Sequence, residues 1–91
     1  MPLLSDDEIS AAVAGLHWER DGDALVRTIR LADFGGALAF VNEVGRLAEE
    51  RNHHPDIDIR WNTVTLRLSS HDAGGITDRD TALAAAIDAL A

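Results

Sequence analysis

Apolar positions recur along this chain with two periods, and the switches between them predict the order of elements. Ser5-Asp6-Asp7-Glu8 forms a capping box, and Ile9, Val13 and Leu16 follow at helical spacing, so a first helix is expected to run to about Gly15–His17. In "HWERDGDALVRTIRL" the pair Asp21-Gly22 suits a tight turn between two strands. Leu25, Ile29 and Leu31 share one side of the second strand, where Arg27 interrupts the apolar row. Behind Asp33 as N-cap, "DFGGALAFVNEVGRLAEERN" returns to the helical period, with Phe34, Leu38, Val41, Val44 or Gly45, and Ala48 on one stripe. Ala37, Phe40, Val44 and Leu47 make a second stripe. Two stripes exceed what a single sheet covers, so part of this helix is expected to pack against another subunit.

Pro55 disfavours helical geometry at His54, which places the end of the long helix at about Asn52 or His53. Ile57, Ile59 and Trp61 then alternate with Asp58 and Arg60, Asn62-Thr63 is the expected turn, and Val64, Leu66 and Leu68 alternate on the return. A Gly74-Gly75 loop leads to a last helix capped by Thr77, with Asp80 three residues on and Leu83, Ile87 and Leu90 directed inward. The order α-β-β-α-β-β-α predicts an α+β fold, in which two hairpins join edge to edge as a four-stranded antiparallel sheet with three helices on one face.

At 91 residues without a shift in composition, the chain is expected to be a single domain spanning 1–91. Sixteen acidic residues face eight basic ones, a net charge of -8, and the basic residues are scattered arginines with no lysine. A nucleic acid or an anionic membrane surface is thus a poor partner. Cysteine is absent, which excludes disulfides and thiolate metal sites. The start "MPLLSDDEIS" carries no export signal and no apolar run approaches the ~20 residues of a membrane span, so the expected location is the cytoplasm.

The candidate chemistry lies in four histidines, because imidazole exchanges protons near neutral pH. His17, beside Trp18, has no functional companion and reads as structural. His53 and His54 straddle a helix end, and His71 closes the second hairpin, which returns the chain toward Pro55. Three imidazoles are therefore expected to meet at one pocket. No metal is expected, since adjacent histidines do not share a face as i, i+4 metal pairs do. Asp80 is the second half of a capping box and can also orient an imidazole, His71 being the expected partner. Trp61 reads as a core anchor by its alternation, and Glu49 as a solvated helix residue.

Glu49-x3-His53-His54-Pro55-x5-Trp61-x9-His71-x8-Asp80, with Ser70-His71-Asp72-Ala73-Gly74-Gly75-Ile76-Thr77, resembles the signature of the pterin-4a-carbinolamine dehydratases from about Ser5 to Leu90. The resemblance implies a hydro-lyase without cofactor that removes water from a 4a-hydroxytetrahydropterin during tetrahydropterin recycling. His53, His54, His71 and Asp80 would be catalytic, and Glu49, Asn52, Pro55, Trp61, Ser70, Asp72, Ala73 and Arg79 would bind the pterin. It also implies a homodimer or homotetramer assembled through the sheet edge and the long helix. Trp61 replaces the Tyr of many members, and Ser70 the usual Thr. A non-catalytic binding or coactivator-type module on the same fold is the alternative.

Overall fold

The computed structural model describes residues 2–90. Its elements are α1 (Asp6–Val13), β1 (Glu19–Asp21), β2 (Ala24–Arg30), α2 (Phe34–Arg51), β3 (Asp56–Arg60), β4 (Thr63–Leu68) and α3 (Asp78–Asp88). All three helices begin where the sequence places a cap. Ser5 and Thr77 form complete capping boxes with Glu8 and Asp80, and the Asp33 side chain accepts from the Gly36 amide. Each such cap satisfies backbone donors that a helix start otherwise leaves open, worth about 1 kcal/mol apiece.

The two hairpins join through their second strands in the order β1-β2-β4-β3, antiparallel throughout. Val64, Leu66 and Leu68 point to the helices and are fully buried, whereas Thr63, Thr65 and Arg67 lie on the open face. α2 and α3 lie against each other over that buried face, and Ala37, Phe40, Val44, Leu83, Ala84 and Ile87 fill the layer between.

Arg27 explains the interrupted row in β2. It faces inward with Leu25 and is buried, because Asp88 at the end of α3 accepts from its Nη1 at 2.6 Å. The same carboxylate accepts from Trp18 Nε1 at 3.0 Å and from the His17 amide at 2.8 Å, so it ties the β1 approach, β2 and α3 together. A buried charge is tolerable only when paired and hydrogen-bonded in this way.

Five sequence expectations about the fold need correction, the last being the turn of the second hairpin. α1 stops at Val13, before Gly15 takes a φ of 81°, and Leu16 packs from the loop. The first turn is Gly22-Asp23, since Asp21 still pairs with Ala24. Leu90 lies beyond the end of α3 and is exposed rather than inward. Trp61 is no core anchor: it is 66% exposed at the tip of the second hairpin with a φ of 56°.

The tryptophan's position follows from what holds its neighbour. Arg60 pairs with Thr63, which leaves Trp61-Asn62 as a two-residue turn in place of Asn62-Thr63. Asn62 is fastened to Leu31 by two bonds, its carbonyl accepting from the Leu31 amide and its Nδ2 donating to the Leu31 carbonyl. The positive φ of the turn therefore falls on Trp61, where glycine would be the easy residue. Trp61→Gly should leave stability unchanged or raise it by up to about 1 kcal/mol, the relief of left-handed strain exceeding the added chain entropy. Urea denaturation checks this, and a loss of the ~3–5 kcal/mol typical of a core aromatic would contradict it.

Candidate active site

α2 ends by a left-handed turn. Asn52 takes a φ of 48°, its amide bonding back to Ala48 and Glu49, and the His53 amide also reaches the Ala48 carbonyl at 3.1 Å. Asparagine is among the few residues that adopt this conformation readily. The reversal sends His53 inward and leaves His54 exposed.

His53 meets Asp80. The imidazole Nε2 lies 2.5 Å from Asp80 Oδ1, and the carboxylate is fully buried. Its other oxygen accepts from the Thr77 amide at 2.9 Å and from Ser70 Oγ at 2.8 Å, and Ser70 Oγ also lies 2.8 Å from Thr77 Oγ1. An ionised carboxylate only accepts, so the Nε2 of His53 that faces it carries a proton. The expected pairing of Asp80 with His71 is thus replaced by pairing with His53. The helix-capping role that the sequence did reveal is what fixes the carboxylate at this point.

His53 lines a hollow of about 300 Å³ with Arg51, Asp78, Arg79 and Ala82, at the lower end of the size of small-molecule pockets. His71 lines a different hollow with Asp23, Asp56, Arg67, Ser69 and Gly74. Within one protomer, then, the three imidazoles do not share a single pocket as expected. The segment 70–72 links the two hollows: Ser70 bonds Asp80 behind His53, and Asp72 accepts from Arg79 Nη2 at 2.7 Å. Ser70 also closes the loop around His71 by pairing with Gly75.

The hydrogen bond from Arg79 holds the Asp72 carboxyl below the usual carboxylate range. A group with a depressed folded value stabilises fully above its unfolded value, near pH ~4, and loses that contribution only as pH falls through the lowered value. The tether is accordingly intact at neutral pH. Arg79 Nε is buried without a partner, an unsatisfied donor at the same hollow.

His54 Nε2 is hydrogen-bonded to Glu49 across the helix end, and both side chains are largely exposed. Pro55 is half-buried, and Ala73 lies in the turn after His71. Asn52 serves as the helix cap, and Trp61 stands at the hairpin tip, outside both hollows. Sequence reading passed over Arg51, Asp78 and Ala82; helical spacing from Asp78 to Ala82 was the signal for the last two. Among the described residues, no three His, Asp or Glu side chains are grouped to hold a metal ion, and no helix is long and apolar enough to cross a membrane.

Residues 2–90 match the family described as pterin 4 alpha carbinolamine dehydratase. The chain belongs to that family. Pterin-4a-carbinolamine dehydratases are hydro-lyases. A protein of Thermomicrobium roseum, named as a candidate pterin-4-alpha-carbinolamine dehydratase, is 61% identical over 92 residues, covering 100% of this chain and 99% of that one. A protein of Chloroflexus aurantiacus, named likewise, is 54% identical over 91 residues, covering 99% and 98%. The crystal structure of a "transcriptional coactivator/pterin dehydratase" from Brucella melitensis superposes with a TM-score of 0.92 at 28% identity, covering 98% of each chain. A pterin dehydratase-like protein described as a RuBisCO assembly factor has a TM-score of 0.66 at 24% identity, covering 82% of this chain and 87% of its own, and shares the dehydratase fold.

Proposed function

We propose that this chain dehydrates a 4a-hydroxytetrahydropterin to the quinonoid dihydropterin by histidine general acid–base catalysis, in tetrahydropterin recycling. The observation that carries the reading is the buried His53–Asp80 pair at the wall of a ligand-sized hollow, in a chain of the dehydratase family. The reaction breaks the C4a–O bond. An acid gives the departing hydroxyl a proton so that it leaves as water, and a base takes one proton from the pterin ring, so protons balance and no redox partner is needed.

His54 and His71 are the groups that exchange these protons, being exposed and free of structural duty beyond the bond to Glu49. His53, held in one tautomer by Asp80, binds and polarises the pterin through Nδ1. Glu49, Asn52, Pro55, Ser70, Asp72, Ala73 and Arg79 complete the substrate site, Ser70 and Asp72 acting through Asp80 and Arg79, while Trp61 lies outside both hollows of its own protomer. The working form is a homodimer or homotetramer in the cytoplasm. Phe34 and Leu38, 45% and 41% exposed on α2, and Ile57 on the edge strand β3 give it apolar surface to bury.

The test is turnover of a chemically generated 4a-carbinolamine, followed spectrophotometrically. Purified protein should accelerate dehydration well beyond buffer, and no acceleration would refute the assignment. A binding role of the coactivator type is the second reading, favoured by the description of the Brucella protein. It predicts a folded oligomer that is inert in the same assay.

A further inference from the structure

Most arginines of this acidic chain are spoken for. Of the eight basic residues, all arginine, six are ion-paired: Arg20, Arg27, Arg46, Arg60, Arg67 and Arg79. Arg30 and Arg51 have no ion pair or side-chain hydrogen bond among the described residues, and of these only Arg51 lines the hollow beside His53. Asp78 lines the same hollow without an ion pair to Arg51, so its acid does not quench the guanidinium directly. Arg79, already bound to Asp72, adds a second guanidinium there. In a chain of net charge -8, this hollow is therefore lined by two guanidiniums, one of them without an ion partner among the described residues.

We propose that Arg51 sets substrate specificity, by selecting a pterin whose side chain carries an anionic oxygen group, a carboxylate or a phosphate. The inference rests on the pterin reading above and deepens it. Guanidinium presents planar paired donors that match these groups, and it stays charged at any working pH. Arg51 is the last residue of α2, one step before the left-handed Asn52 and two before His53. Arg51 and His53 line the same hollow, so a pterin ring held by His53 has the Arg51 guanidinium within the same cavity. A purely structural role, favourable charge at a helix C-terminus, would stabilise the fold but not discriminate between ligands.

The experiment is equilibrium binding of three stable pterins to the full chain: 6-hydroxymethylpterin, pterin-6-carboxylate and the phosphate ester of the first. The anionic ligands should bind about fivefold more tightly than the neutral one, a modest factor because the site is open and screened by salt. Arg51→Gln should bring that ratio close to one, and Arg51→Lys should restore part of it. Which anion gains more distinguishes carboxylate from phosphate. Equal binding of charged and neutral pterins, or an equal loss of all three in Arg51→Gln, overturns the inference. Turnover without this preference removes the specificity claim alone, whereas preference without turnover supports it and removes only the dehydratase reading.

Discussion

His54→Ala and His71→Ala should each lower kcat for carbinolamine dehydration by about 10²–10⁴-fold, the usual contribution of a positioned proton donor or acceptor. Neither change should unfold the protein. Both residues are exposed, and among the described residues the sole side-chain bond of either joins His54 Nε2 to Glu49 as acceptor, an exposed pair that contributes little. Activity and stability therefore separate at these positions, and thermal melting beside stopped-flow kinetics reads both. Wild-type rates in each variant would show that the proton-transfer roles lie elsewhere.

Asp80→Ala should act in the opposite manner, through the fold first. It leaves the Thr77 amide, the Ser70 hydroxyl and His53 Nε2 without their buried acceptor. Unsatisfied buried groups destabilise by roughly 1–3 kcal/mol each, with Ser70 still able to use Thr77, so a loss of about 3–4 kcal/mol is expected. In a domain of this size that lowers Tm by roughly 15–25 °C. Asp80→Asn is milder for the fold, because its carbonyl still accepts from Thr77 and Ser70. Its amide then faces Nε2 of His53 and forces the other tautomer, so kcat should fall about 10–100-fold in a folded protein. An Asn variant with full activity would detach Asp80 from the chemistry.

The helix starts, the element order and the sheet were legible because local rules govern them: a hydroxyl or carboxylate at the right offset caps a helix, and alternation marks a half-buried strand. What escaped was set by partners far along the chain. Arg27 belongs inside because Asp88, 61 residues away, receives it. Asp80 pairs with His53 across 27 residues, where sequence reading paired it with His71. Trp61 was placed in the core because it continues a strand period, and the bonds from Asn62 to Leu31 end that strand one residue earlier. At the site, the residue types were legible and their grouping was not. Three histidines predict a tight cluster, whereas the fold puts His53 and His71 in two hollows joined by residues 70–72 and leaves His54 outside both, bonded to Glu49.

The double duty of Asp80 bears on how relatives should be read. A descendant that abandoned dehydration but kept its shape would still require that aspartate to cap α3, so its persistence says little about activity. The solvent-facing imidazoles at 54 and 71 carry no such obligation and would drift once turnover ceased to matter. On the proposed mechanism, they are the positions by which working enzymes on this scaffold are told from retired ones.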